Sequence, residues 1–289
     1  MIDETLNNTD VKCILQKISG DTNLSDNKIT LPANPANDNL FQKMLRKFNG
    51  TNAPSIAFKG ENLGTNYLGQ TRSFDNGNIL EIVINTNNTS NLFNEATLIH
   101  ELLHAFMLND LKNWHMLQWD PATGVPTLAY NLPTICENND FNSNIPEEHL
   151  AAVICMHIKK IMNLQTGEIH PYWMEEIFGL PYFDTQTYAD ALANFLHQNH
   201  DWNNETQGWQ TNMANQFGFN WKYEVSEYAT MTALMKTNYF HNWLNTKDIA
   251  NFPLQVNDRY KNFPYYTQNF IPKGSFDLSV LIPAKDSCN

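Results

Sequence analysis

Three side chains stand out by type and spacing: His100, Glu101 and His104, in the order H-E-x-x-H within Ala96-Thr97-Leu98-Ile99-His100-Glu101-Leu102-Leu103-His104-Ala105-Phe106-Met107-Leu108. In a helix, residues four apart lie on one face a turn apart, so both imidazoles can reach a single metal ion. Glu101 then sits where its carboxylate can act on a water held by that ion. Leu98, Leu102, Ala105 and Phe106 form an apolar stripe at helical spacing, widened by Ile99, Leu103 and Met107. A helix apolar on nearly every side is a buried helix. From Ala96 to Leu108 Glu101 is the only charged residue, and burying it without a partner costs several kcal/mol. Zinc is the simplest compensation. The plain alternative is a buried hydrogen-bond network with no metal.

A catalytic zinc site has three protein ligands and one open position. His149 is the expected third ligand, because it opens the next capped helix after one long loop. Glu148 and His115 are the alternatives, one beside His149 and the other nearer in sequence but between Trp114 and Met116. His157, two turns past His149, reads as a core histidine. His170, His197, His200 and His241 lack ligand spacing to the motif and read as surface or hydrogen-bonded residues. Tyr130, His157 and Tyr172 are candidate donors to a developing oxyanion.

The rest of the chain bounds the function. Its 289 residues carry a net charge of −12, and Arg46, Arg72 and Arg259 are the only arginines. Nucleic acid is therefore an unlikely partner, since nothing here would neutralise a run of phosphates. No apolar window approaches the roughly 18 residues that span a bilayer. Cys13, Cys136, Cys155 and Cys288 are scattered with no C-x-x-C, which excludes a zinc knuckle and a dense disulfide framework but leaves one or two bridges open. Met1-Ile2-Asp3-Glu4-Thr5 lacks the basic and apolar regions of a signal peptide. That suits a cytoplasmic protein, or one exported as an effector or after loss of a leader.

The elements that must position the motif follow from pattern. Residues 1–37 read as an N-terminal arm with a short helix near 11–18. Residues 38–115 hold a sheet plus the motif helix. Within them, 39–48 is helical with Asp38 as cap, 55–59 is a strand, and 60–77 has hairpin character. Ile79–Asn85 is the clearest strand, with Glu81 and Asn85 opposite Leu80, Ile82 and Ile84. Its half-polar pattern suits a sheet edge that could accept an extended peptide. Asn87–Asn91 reads as the turn and cap into the motif helix. Residues 116–143, rich in Trp and Pro, read as a loop over the cleft. Residues 144–245 read as helical, beginning with a helix capped by Asn144 with Pro146 in its first turn and continuing at 185–198, 209–217 and 223–240. Residues 246–289 read as a C-terminal extension. The whole is read as a single domain.

The motif run resembles the active-site helix of the zincin metallopeptidases, most closely the SprT-like bacterial group. There too a strand precedes the motif. The aromatic Phe178-Gly179-Leu180 and Thr185-Gln186-Thr187-Tyr188, after the helix of His149, add to the likeness. The His-Gly context of a typical SprT-like third histidine is missing. So is a metzincin continuation: Met107 and Asp110 stand where its Gly and His would be. The resemblance implies an α+β, zincin-like fold with a small mixed or antiparallel sheet and a mostly helical C-terminal half. It implies a zinc metallopeptidase acting on a protein or peptide, with His100 and His104 as ligands and Glu101 as general base. The alternatives are an effector or toxin whose peptidase domain acts on one protein, and a catalytically silent zincin-like binding protein.

Overall fold

A computed structural model describes residues 10–21, 28–49, 53–64, 68–86, 91–182, 186–205, 207–232, 234 and 237–246. They form an α+β structure with small mixed sheets. The turn at 87–90, the start of the expected helix at Thr185 and the extension beyond 246 lie outside the described residues.

Helices α1 (Asp10–Ser19) and α2 (Leu40–Arg46) come first. Asn39, not Asp38, caps α2, in a reciprocal box with Gln42, because Asp38 is engaged by the Arg46 guanidinium. Strands β1 (Ser55–Glu61), β2 (Gly69–Phe74) and β3 (Ile79–Asn85) then form a sheet ordered β1-β3-β2, with β1 parallel and β2 antiparallel to β3. The β2–β3 turn, Asp75-Asn76-Gly77, has positive φ at all three positions. Asp, Asn and Gly tolerate that conformation best.

Ile79–Asn85 is therefore the central strand and not an edge. Its polar residues have other work. Asn85 is buried, accepts from the Leu63 N–H at 3.3 Å and donates to the Gly64 carbonyl at 2.7 Å, so it braces the loop after β1. The edge next to the motif helix is β2, which carries little apolar alternation.

Helix α3 (Asn91–Asn113) contains the H-E-x-x-H run. Leu98, Ile99, Leu102, Ala105, Met107 and Leu111 are at most 0% exposed. Strands β2 and β3 cover one side, and α1 and α2 pack against it elsewhere. The all-round apolar pattern thus marks a central helix, as hydrophobic burial requires.

The expected loop at 116–143 is partly ordered into a hairpin, β4 (Leu117–Trp119) with β5 (Pro126–Leu128), followed by α4 (Leu132–Asn138). Pro133 is not a loop signal there: it sits in the first helical turn, where a missing N–H costs nothing. Helix α5 (His149–Met156) begins later than its Asn144-Pro146 signal suggests, and a disulfide joins its Cys155 to Cys136 of α4. Then follow α6 (Ile158–Ile161), α7 (Trp173–Ile177), the short hairpin β6 (Pro181–Tyr182) with β7 (Gln186–Thr187), and α8 (Tyr188–Asn199). Thr187 and Asp190 form a capping box on α8. Helices α9 (Gln207–Phe217), α10 (Trp221–Thr232) and α11 (Asn238–Thr246) complete the described chain. Of these, α5, α8 and α10 contact α3.

Candidate functional site

His100 and His104 lie one turn apart on α3 and turn the same ring nitrogens toward each other, Nε2 to Nε2 at 2.9 Å. Both rings are buried, and both Nδ1 atoms lack a hydrogen-bond partner. Burial, and then the neighbouring His104, hold His100 well below the ordinary imidazole range. The neutral ring, which is the metal-binding form, is therefore the stable one. An unpartnered buried polar atom costs about 1–3 kcal/mol, a cost that each ring bears at Nδ1 while its Nε2 faces the neighbouring ring. A tetrahedral ion with Zn–N near 2.0–2.1 Å would hold two nitrogens about 3.3 Å apart, a small widening of the pair seen here. The donor set fits a zinc-type ion at two corners.

Glu101 is buried on the same helix. Burial pushes its carboxyl up; nearby His104 and the Thr71 hydroxyl pull it down, and Glu175 pushes it up again. Thr71 comes from β2. Its Oγ1 lies 2.8 Å from Glu101 Oε2 and 2.7 Å from the Glu101 main-chain oxygen. Two positions back on the same face of β2, Gly69 makes the close approach possible. A Cβ there would stand 2.4 Å from Thr97 Cγ2 and 3.0 Å from Glu101 Cγ. Phe178, at the end of α7, stacks on His100 with ring centres 4.4 Å apart and meets His104 edge-on at 5.3 Å. It walls the histidine pair with apolar surface. Glu175, one turn earlier and on the same side as Phe178, is the acidic group that α7 adds near Glu101.

The other expected site residues are placed elsewhere. Among the described residues no third His, Cys, Asp or Glu joins His100 and His104 in a group arranged to hold a metal. His149 is buried, but its Nδ1 lies 2.7 Å from the Ser143 carbonyl oxygen and its Nε2 3.2 Å from that of Pro181. It ties the start of α5 to β6. The Glu148 carboxylate accepts from the Asn142 N–H at 2.8 Å. His115 is exposed and ends α3 with φ of 57°. Asp110 stays on α3, which runs on without the glycine break of a metzincin motif; six residues past His104 it has turned about 240° away. Tyr130 is 80% exposed. His170 accepts from the Tyr172 N–H, and His157 closes α5. His197 packs against Tyr223, and His200 is bonded to two carboxylates described below. His241 lies in α11.

Sequence reasoning missed Thr71, Gly69 and Glu175. The D-N-G turn between two extended stretches is a hairpin signal that places β2 beside β3, but nothing local ties it to α3.

The chain matches no protein-family model, no curated protein and no solved structure.

Proposed function

We propose that this protein is a zincin-like, zinc-dependent metallopeptidase. The observation that carries this reading is the convergence of His100 Nε2 and His104 Nε2 beside the buried Glu101. His100 and His104 would hold the ion, and His149 remains the candidate drawn from sequence for the third corner. That role requires it to leave the Pro181 carbonyl. Zinc, when bound, supplies Lewis acidity toward a carbonyl oxygen and acidifies a coordinated water toward a pKa of about 7.

The chain's own residues do the rest. Glu101 takes a proton from the attacking water and returns it to the leaving amine. A raised carboxyl in a water-poor site suits a base that must also release its proton. Phe178 excludes solvent from the histidine side. Among the described residues β2 has no strand on its outer side, and that edge, next to Glu101, is where an extended peptide can lie as an added strand.

The Cys136–Cys155 bridge supports work in an oxidising compartment, and so favours the exported variant of this reading.

The test is purified protein assayed for metal by elemental analysis and for hydrolysis of fluorescein-labelled casein. Wild type is expected to hold about one zinc per chain and to lose activity to a chelator. Glu101→Gln is expected to keep the zinc and lose at least about a hundredfold in rate, the scale of general-base catalysis. Full activity in that variant would sink the assignment. Zinc with no hydrolysis in wild type would favour a binding protein on the same scaffold.

A further inference from the structure

We infer that Thr71 is the positioning residue of Glu101, fixing which carboxylate oxygen is free to take a proton. The inference rests on the peptidase reading and adds to it a residue from outside the motif helix.

The hydroxyl of Thr71 has one proton and two acceptors within reach, Glu101 Oε2 at 2.8 Å and the Glu101 main-chain oxygen at 2.7 Å. That main-chain oxygen already lies inside α3, where helical bonding serves it. The ionised carboxylate is the stronger acceptor, because a hydrogen bond to a charged group is shorter and about twice as strong as a neutral one. The hydroxyl therefore goes to Oε2 while Glu101 is charged. One lone pair of Oε2 is then engaged and Oε2 becomes the less basic oxygen, which leaves Oε1 as the better proton acceptor. When Oε1 takes up a proton, Oε2 becomes the carbonyl oxygen of the acid and still accepts from Thr71. The same bond serves both protonation states without reorganisation.

The fold commits β2 to this contact. Gly69 and Thr71 alternate with Gln70 along the strand and so share a face. Gly69 removes the side chain that would hold β2 off α3. Thr71 fills the gap with a β-branched side chain, whose rotamer is restricted. An ordinary core strand would put an aliphatic residue at that position; here it holds a hydroxyl aimed at a buried carboxylate.

The experiment uses the zinc-loaded protein with Thr71→Val, Thr71→Ser, Thr71→Ala, Glu101→Gln and the Thr71→Val/Glu101→Gln pair. Three quantities are read: zinc content, hydrolysis of labelled casein, and affinity for acetohydroxamate by calorimetry. A hydroxamate chelates zinc and hands its proton to the base, so its affinity reports Glu101 geometry without turnover. Thr71→Val is expected to keep its zinc, lower kcat about 10- to 100-fold with KM within about twofold, and weaken hydroxamate about tenfold. Thr71→Ser is expected to restore kcat to within about threefold. In the Glu101→Gln background, Thr71→Val should weaken hydroxamate no further, since the two act as a unit. Wild-type kcat and hydroxamate affinity in Thr71→Val would overturn the positioning role while the loss in Glu101→Gln leaves the peptidase reading standing. If Thr71→Val fails to fold, Thr71→Ser with kcat reduced as far as in Thr71→Ala overturns it too. Full activity in Glu101→Gln would remove both.

Discussion

A carboxylate in a protein interior survives by being answered, and of the three buried on α3, Glu101 has a close partner where Asp110 leaves an oxygen without one. Glu101 has the Thr71 hydroxyl. Asp110 is 4% exposed, its Oδ2 has no hydrogen-bond partner, and burial pushes its pKa up to about 7 against the pull of Lys47 and with a further push from Glu147. The folded pKa lies above the unfolded one, so the fold binds the extra proton between about pH 4 and 7. Stability then falls as pH rises through that window, and the charged form opposes folding above it. Asp110→Asn is expected to raise unfolding free energy by up to about 4 kcal/mol at pH 8 and by little at pH 4, read from urea denaturation at the two values. Equal effects at both would mean that Asp110 is solvated. The sequence shows both acids on one apolar helix but cannot tell them apart. The group that answers Glu101 sits 30 positions away, in a strand with no apolar signature.

At the scale of elements, legibility followed periodicity. Helices α1, α2, α3, α8 and α9 and strands β1 and β3 were readable because one face of each is apolar and buried. Strand β2, Gly-Gln-Thr-Arg-Ser-Phe, was not: it is held by its ladder to β3 and by contact with α3, and a pattern of hydrophobicity records neither. The same blindness made β3 look like an edge and turned α4 into loop. The β2–α3 contact has a direct test. Gly69→Ala drives a methyl to 2.4 Å from Thr97 Cγ2, next to the Val83 carbonyl oxygen at 3.0 Å. Overpacking of this kind costs about 1–3 kcal/mol, more than the roughly 0.4–1 kcal/mol gained by stiffening the unfolded chain. Adding Thr97→Ser removes the clashing methyl but keeps the hydroxyl that donates to the Phe93 carbonyl. The double variant should recover most of the loss in chemical denaturation. A Gly69→Ala protein as stable as wild type would show that β2 is not pressed on the helix.

Across the whole molecule, one buried point ties the motif helix to the C-terminal helices. His200, just past the end of α8, is 7% exposed; its Nδ1 bonds Glu95 of α3 at 2.7 Å and its Nε2 bonds Glu205 at 3.0 Å. Lys17 of α1 reaches the other oxygen of Glu95 at 3.5 Å. Desolvation alone would lower the imidazole pKa. The hydrogen bonds and charges of Glu205 and Glu95 outweigh it and raise the value to about 9, so the ring is an imidazolium held between two carboxylates. Because the folded pKa is raised above the unfolded value of about 6.5, this link contributes fully below about pH 6.5 and is lost as pH climbs through 9. Its size is about 3 kcal/mol. Sequence reads His200 as a surface or hydrogen-bonded histidine without naming its partners, because Glu95 is 105 positions distant and Glu205 lies in the next loop. Wild type is expected to lose about 3 kcal/mol of unfolding free energy between pH 6 and pH 10 beyond the loss in His200→Gln, which cannot carry the charge. The variant should be less stable at pH 6 and nearly level with wild type at pH 10. Parallel pH profiles for the two proteins would mean that His200 is neutral in the fold and that the α8 end is held to α3 by packing alone.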